Sequence, residues 1–141
     1  MRVLIDTNIL LDYLTKRDPF FASAQAIMHL CDRGDIEGYI AAHSVLNAFF
    51  ILRHQYTVEQ RRGILKDICL LLKVVSVDGH NLLDALGNEG FRDFEDCVQM
   101  NCAVKCHADF ILTRDKHDYQ NSRVPAIQPI EFLHITQKGG S

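Results

Sequence analysis

The sequence predicts an α/β fold, in which a single domain carries a mostly parallel central β-sheet flanked by α-helices on both faces. Short apolar segments rich in β-branched residues alternate with longer segments whose apolar residues recur at helical spacing. This alternation is typical of parallel sheets whose strands are joined by helices. With 141 residues and 48% hydrophobic content, the chain is also long enough to bury one core.

Five segments have the length and composition of strands. The first passes directly into Asp6, and the fourth passes directly into the polar run Arg114-Asp115-Lys116. Right-handed crossovers align the carboxyl ends of parallel strands along one edge of a sheet, where open α/β folds bind their ligands. The predicted strands are residues 2–5, 38–41, 74–77, 109–113 and 126–127.

Local signals set the predicted helix boundaries. Asp18-Pro19 supplies a cap and a proline for the first helical position, and Thr57 with Gln60 has the pattern of a capping box. The predicted helices are residues 8–16, 19–33, 44–54, 58–72, 81–86, 93–104 and 129–133. These elements predict one domain.

The expected domain spans residues 1–135, and residues 136–141 form a polar tail that is interpreted as a tag or linker remnant. No apolar segment reaches membrane-spanning length. The N-terminus lacks the pattern of a secretory signal, so we expect a cytoplasmic protein. The five cysteines include no C-x-x-C pair, which predicts buried free thiols.

The net charge of −3 argues against a protein that binds long nucleic acids through a broad basic face. It does not argue against a nuclease. Carboxylates gathered around a divalent cation lower the net charge themselves, and the cation then supplies the positive potential that a phosphate meets.

Three acidic residues are expected to meet at the carboxyl edge of the sheet. Asp6 and Asp115 each follow a strand, and Asp96 lies in the helix that leads to the fourth strand. Clustered carboxylates repel one another unless a cation lies among them, and oxygen ligands favour Mg²⁺ or Mn²⁺ over zinc. Taken singly, each acid is readily explained as a helix cap or a solvated charge. Their joint placement predicts a metal site suited to phosphodiester hydrolysis.

Four short motifs occur in a fixed order along the chain. They are Val3-Leu4-Ile5-Asp6-Thr7-Asn8-Ile9-Leu10-Leu11-Asp12, His43-Ser44-Val45-Leu46-Asn47, Asp93-Phe94-Glu95-Asp96-Cys97-Val98-Gln99 and Ala108-Asp109-Phe110-Ile111-Leu112-Thr113-Arg114-Asp115. In this order and spacing they resemble the PIN domain family, especially the VapC-like ribonuclease toxins of bacterial toxin–antitoxin pairs. The resemblance implies a metal-dependent endoribonuclease in which water, activated at an acid-bound Mg²⁺ or Mn²⁺, attacks the scissile phosphate and leaves 5′ phosphate and 3′ hydroxyl ends.

The resemblance also implies roles for individual residues. The implied metal ligands are Asp6, Asp96 and Asp115, and the implied supporting residues are Thr7, Asn8 and Thr113. Most members of the family carry a glutamate where this chain has Asn47. An amide oxygen at that catalytic position can coordinate a metal or hold a metal-bound water, but it brings no charge. We therefore expect weaker cation binding than an acid would give.

Three further acids lie close to the implied ligands in sequence. Asp93 precedes Asp96 by one helical turn, and it either joins the metal ligands or caps the helix. Asp118 is the second choice, after Asp115, for the last acidic ligand. Glu95 is expected to point elsewhere, because adjacent residues do not share a face of a helix.

Partners are also implied by the resemblance. Arg114 and Lys116 are candidates for contacts with RNA phosphates, although a solvated loop explains them equally well. The resemblance implies a cognate antitoxin that covers the acidic pocket, and family toxins usually form homodimers. The apolar helix at 44–54 and the region Arg61–Lys66 are candidate surfaces for these partners.

Two other functions stay open at this point. Asn47 favours a PIN-fold module that binds RNA or protein and is catalytically weak or inactive. The second is a phosphatase-like hydrolase with Asp6 as its nucleophile. That mechanism expects an acid two residues later, where this chain has Asn8.

Overall fold

The computed structural model describes residues 1–139, in which five strands alternate with seven α-helices. The strands are β1 (Arg2–Ile5), β2 (Glu37–Ala41), β3 (Lys73–Val75), β4 (Phe110–Leu112) and β5 (Ala126–Ile127). The helices are α1 (Thr7–Leu14), α2 (Phe21–Asp32), α3 (Ala42–Ile51), α4 (Val58–Leu71), α5 (Gly79–Leu86), α6 (Phe94–Lys105) and α7 (Pro129–Gly139). The predicted α/β class is confirmed.

The five strands form one parallel sheet in the order β3-β2-β1-β4-β5. β1 lies at its centre, where Val3 pairs with Gly38 of β2 and with Phe110 of β4. The chain builds the sheet outward on one side of β1 and then on the other. Such a switch point is where open α/β folds bind ligands, and Asp6 directly follows β1.

The sheet separates two hydrophobic cores. Val3 and Ile5 of β1 pack in the core that contains α1, α2, α3, α4 and α7, whereas Leu4 packs in the core that contains α5 and α6. Successive strand residues point to opposite faces, so β1 is covered on both sides and these three side chains are fully buried. The helices therefore flank both faces, as predicted.

Two predicted helices, 19–33 and 129–133, differ from the structure: the first begins later than predicted and the second ends later. A turn precedes α2, which begins at Phe21 rather than at Pro19. Helix α7 continues to Gly139, because residues 130–138 contain neither glycine nor proline to stop it. Residues 136–139 of the predicted tail are thus helical, and the rest of the proposed tag remnant, residues 140–141, lies outside the described residues. The domain boundary at residue 135 stays a prediction.

Several smaller predictions can be compared with the structure. The capping box at α4 is confirmed, since Gln60 N donates to Thr57 Oγ1 at 3.2 Å and Thr57 N donates to Gln60 Oε1 at 2.9 Å. The five cysteines are free thiols, but only Cys97 and Cys102 are buried as predicted; Cys31 and Cys106 are half-buried and Cys69 is exposed. Within residues 1–139, every helix is too short or too polar to cross a membrane.

Candidate functional site

Asp6 lies where the carboxyl ends of β1 and β4 meet. Its backbone N–H donates to the Leu112 carbonyl at 3.0 Å, and the Thr113 hydroxyl donates to Asp6 Oδ2 at 2.7 Å. Asp6 precedes α1, yet its side chain makes no capping bond to that helix. The Asp6 carboxylate is therefore held by the residue that follows β4, and a helix-capping role does not explain the presence of an acid at this position.

A buried tyrosine joins Asp6 to Asp96. The Tyr119 hydroxyl lies 3.4 Å from Asp6 Oδ2 and 3.4 Å from Asp96 Oδ1. Burial and the two carboxylates raise the pKa of this phenol far above its usual value, so the hydroxyl keeps its proton and donates toward the acids. Tyr119 was not predicted as a site residue, because its only signal in the sequence is that of an aromatic residue at the end of the polar loop after the fourth strand.

Asn8 and Thr113 position the third acid, Asp115. Asn8 Nδ2 donates to Asp115 Oδ2 at 3.1 Å and to Thr113 Oγ1 at 3.4 Å. The Asp115 N–H donates to the same threonine oxygen at 3.1 Å. Thr113 is fully buried and contacts both Asp6 and Asp115. The structure thus brings these predicted site residues together at one edge of the sheet.

The acids at this edge influence one another electrostatically. The pKa of Asp6 is raised to about 6, chiefly by burial and then by the negative charges of Glu95 and Asp115. The pKa of Asp96 is raised to about 7, again with burial as the largest cause. The charges that raise the Asp96 value are those of Asp93, Asp6 and Asp118. Acidic groups that oppose one another's ionisation are therefore concentrated here.

Asp93 and Asp118 both lie beside Asp96. Asp93 caps α6, because its carboxylate accepts the Asp96 N–H at 3.1 Å, as one of the two alternatives predicted. Asp93, Asp96 and Asp118 line a small cavity of about 80 Å³. The negative charge of Asp118 helps to raise the pKa of Asp96, whereas that of Asp115 helps to raise the pKa of Asp6. The choice of Asp115 over Asp118 as the last ligand stays a prediction.

A buried hydrogen-bond network lies behind Asp6. The Thr7 and Ser44 hydroxyl oxygens are 2.6 Å apart. Gln99 Nε2 donates to Ser44 Oγ at 2.9 Å and to Thr7 Oγ1 at 3.2 Å, and it lies 3.5 Å from Asp6 Oδ1. Gln99 and Ser44 are completely buried. Neither was predicted as a site residue, although both belong to the motifs that carry the family resemblance.

Glu95 points into the site, and the prediction that it faces elsewhere is wrong. Its Oε1 atom lies 3.5 Å from Thr7 Oγ1 and 3.5 Å from Asn47 Nδ2. The prediction applied a rule for the middle of a helix, but Glu95 and Asp96 lie in the first turn of α6. Because the end of α6 faces the site, adjacent side chains of that turn both reach it. Asn47, which is exposed, contacts the site through Glu95.

The two predicted RNA-contact residues each pair with an acid. Arg114 Nε and Nη2 donate to the Asp12 carboxylate at 2.7 and 3.3 Å, and Asp12 is completely buried. The Arg114 guanidinium also lies 4.1 Å from the centre of the Phe20 ring. Lys116 Nζ lies 3.0 Å from Glu131 Oε1. These ion pairs give the Arg114 and Lys116 side chains a structural role, and the contact of these two residues with RNA stays a prediction.

The donor set at the sheet edge fits a hard divalent cation. Carboxylate oxygens dominate it, and the buried Asn8 Oδ1 has no hydrogen-bond partner within residues 1–139. Such oxygen-rich sites favour Mg²⁺ or Mn²⁺. In the same described range, no three His, Cys, Asp or Glu side chains lie in positions that could hold a metal ion by themselves. Mg²⁺ keeps several of its water ligands, so these acids would share the coordination of a cation with water.

The raised pKa values predict how stability depends on pH without metal. Asp6 and Asp96 titrate at about 6 and about 7 in the folded chain, above their ordinary value of 3.8. Between these values the folded chain binds more protons than the unfolded chain, so these groups lower the free energy of unfolding as the pH rises from about 4 to 7. Thermal unfolding of wild type and Asp6→Asn at pH 5 and pH 8 checks this. Asp6→Asn should gain stability relative to wild type at pH 8, and an identical pH dependence of the two proteins would contradict it.

A family model described as a PIN domain matches residues 2–117. The chain belongs to the PIN domain family. The matched residues include the acids at both ends of the candidate site, Asp6 and Asp115. The family predicted from the four motifs is therefore confirmed, and this PIN domain places its acids at the carboxyl edge of the parallel sheet.

Solved structures share the fold of this PIN domain. VapC20 from Mycobacterium tuberculosis, described as a sarcin-ricin loop cleaving toxin, is 13% identical, with 90% of this chain and 99% of that chain covered and a TM-score of 0.69. VapBC-1 from nontypeable Haemophilus influenzae is 16% identical, with 92% and 99% covered and a TM-score of 0.68. VapBC2 from Rickettsia felis, bound to a promoter DNA fragment, is 14% identical, with 91% and 98% covered and a TM-score of 0.66. No curated protein sequence matches the chain.

Proposed function

We propose that this PIN domain protein is a metal-dependent endoribonuclease and the toxin of a toxin–antitoxin pair. The observation that carries the proposal is the meeting of Asp6, Asp96 and Asp115 at one sheet edge, where Tyr119 and Thr113 link them. Clustered carboxylates with oxygen-rich surroundings suit metal-assisted phosphodiester hydrolysis. The description of VapC20 as a sarcin-ricin loop cleaving toxin supports RNA as the substrate.

The residues of the site have separate tasks in this mechanism. The carboxylates that would hold the cation are those of Asp6, Asp96 and Asp115. A bound Mg²⁺ or Mn²⁺ would polarise a phosphoryl oxygen and lower the pKa of a water molecule. Thr113 and Asn8 fix the positions of two of the acids through hydrogen bonds. Tyr119 orients Asp6 and Asp96 as a hydrogen-bond donor, since the raised pKa of its phenol excludes it as a general base near neutral pH.

Cleavage of a structured RNA tests the proposed function. We expect the purified protein to cut the RNA in the presence of Mg²⁺ or Mn²⁺, to lose this activity in EDTA and to regain it when the metal is restored. Undiminished cleavage in EDTA would contradict the proposal. RNA binding without cleavage under all metal conditions would instead support the alternative, a catalytically inactive PIN-fold binding module, which the uncharged Asn47 favours.

A cognate antitoxin is the proposed protein partner. Several structural neighbours are described as complexes of two components, VapBC or FitAB. The pocket is acidic, because the negative charges of Glu95 and Asp115 act on Asp6 and those of Asp93 and Asp118 act on Asp96. Complementary charge guides specific association, so we expect the antitoxin segment that covers this pocket to contribute a basic side chain.

A second copy of the chain is proposed to cover α3. Leu46 and Phe50 of this helix are 72% and 61% exposed, and neighbouring exposed apolar residues mark interaction surfaces. We expect Leu46→Glu with Phe50→Glu to convert a dimer into a monomer in light-scattering measurements. Leu70→Glu, at a position that is 77% exposed on α4, is the matched control and should leave the dimer intact. A monomeric wild type would contradict the proposal.

A further inference from the structure

The candidate site has no acid at position 47, where the family resemblance expects one. Asn47 of α3 stands there instead, and its amide brings no charge. The carboxylate of Glu95 nevertheless lies on this side of the site, because its Oε1 atom is 3.5 Å from Asn47 Nδ2. A negative charge is therefore present beside position 47, although it comes from α6 rather than from α3.

Contacts with two helices, α1 and α3, hold Glu95 in this position. Its Oε1 atom lies 3.5 Å from the Thr7 hydroxyl at the start of α1 and 3.6 Å from His43 Nε2 at the start of α3. Thr7 is itself fixed by hydrogen bonds with the buried Ser44 and Gln99. All of these contacts with Glu95 are made by Oε1, which leaves Oε2 for another partner. Glu95 is therefore oriented and also has an oxygen to offer.

The charge of Glu95 acts on Asp6. The negative charge of Glu95 repels that of Asp6, and the two side chains are linked by hydrogen-bonding groups. Thr7 Oγ1 lies 3.5 Å from Glu95 Oε1 and accepts from Gln99 Nε2, which lies 3.5 Å from Asp6 Oδ1. The contact with His43 alone would not require Glu95 to face another carboxylate. Two carboxylates held close together are compatible when a cation lies between them.

We propose that Glu95 binds the divalent cation together with Asp6 and Asp96, and so supplies from α6 the acid that α3 lacks. This inference rests on the proposed metal-dependent function. In this arrangement Asn47 donates a hydrogen bond that orients Glu95. The first turn of α6 then provides two consecutive acids, Glu95 and Asp96, to the same metal centre.

Binding of Mn²⁺ to the full chain, measured by isothermal titration calorimetry, tests the proposal. We expect Glu95→Gln to weaken Mn²⁺ binding by about 10- to 100-fold, since ligand charge sets the affinity of such sites. The matched control is Glu59→Gln, which removes an exposed acid from the first turn of α4 and should leave binding unchanged. The thermal unfolding temperature of metal-free Glu95→Gln should stay close to that of wild type, because the loss of the contact with the His43 side chain is offset by the removal of the repulsion of Asp6.

A carboxylate swap sharpens the test. The double variant Asn47→Glu with Glu95→Gln returns the acid to α3 and should recover most of the affinity that Glu95→Gln loses. Unchanged binding in Glu95→Gln, with binding abolished in Asp6→Asn, would overturn the role of Glu95 and leave the metal centre standing. A double variant that binds Mn²⁺ no better than Glu95→Gln would overturn the claim that Glu95 of α6 replaces an acid at position 47 of α3. A wild type that binds no Mn²⁺ would overturn the metal-dependent function itself.

Discussion

Asp6→Asn is expected to reduce RNA cleavage by more than about 100-fold, because even residues that only support metal ligands are worth about 10- to 100-fold in activity. Asp6 is the most enclosed carboxylate of the proposed metal centre, with 7% of the residue exposed. It also lies within hydrogen-bonding distance of both Thr113 and Tyr119. Asparagine preserves the shape of the side chain and an oxygen that can accept from Thr113, but it removes the charge. The initial rate of cleavage in Mg²⁺ measures the effect.

Two controls separate this loss from unfolding. The thermal unfolding temperature of metal-free Asp6→Asn at pH 8 should match or exceed that of wild type, since a buried carboxylate is costly to ionise. Asp109→Asn makes the same chemical change just before β4, at the opposite edge of the sheet, where Asp109 Oδ2 accepts the Arg2 N–H. We expect it to keep wild-type cleavage. Equal cleavage rates for wild type and Asp6→Asn would rule out the metal centre as described.

Arg114→Ala is expected to lower the free energy of unfolding by about 3 kcal/mol, the lower end of what a broken buried ion pair costs. The Asp12 side chain is 1% exposed, and that of Arg114 is 26% exposed. Removing the guanidinium leaves a buried carboxylate without its cation. It also removes the contact between Arg114 and the Phe20 ring. Denaturant unfolding at neutral pH measures the change.

Lys116, a basic residue close to Arg114 in the sequence, provides the matched control. Lys116 pairs with Glu131, and both of these side chains are about half exposed, so Lys116→Ala should cost less than about 1 kcal/mol. The double variant Asp12→Leu with Arg114→Met removes both buried charges and should recover most of the stability that Arg114→Ala loses. A loss for Arg114→Ala no larger than that for Lys116→Ala would contradict the importance of the buried pair.

The fold and the main acids of the site were predictable because their signals are local. The apolar run of β1 and that of β4 are short and end abruptly, so the residues that follow them, Asp6 and Asp115, could be placed at one edge of a parallel sheet. Asp96 could be placed there because it opens the helix that leads to β4. These inferences need only the period of the apolar residues and the right-handed crossover.

The remaining site residues depend on contacts that no local pattern encodes. The pairing of Arg114 with Asp12 joins positions 102 residues apart, and that of Tyr119 with Asp6 joins positions 113 apart. Gln99 resembled an ordinary helix residue until the fold placed it against Thr7 and Ser44. Glu95 was misassigned because the helix-face rule ignores where the end of a helix points. Tertiary placement, rather than residue type, gives these side chains their roles.

The chemical ends of the cleaved RNA provide the most direct test of the proposed mechanism. Attack by water at the metal centre leaves 5′ phosphate and 3′ hydroxyl ends, whereas attack by the 2′ hydroxyl of the RNA leaves a 2′,3′-cyclic phosphate and a 5′ hydroxyl. End-labelling and mass spectrometry of the products distinguish the two. We predict 5′ phosphate and 3′ hydroxyl ends with Mg²⁺, and their loss in EDTA and in Asp6→Asn. Cyclic phosphate ends, or the same products from Asp6→Asn at the wild-type rate, would contradict metal-dependent hydrolysis at this site.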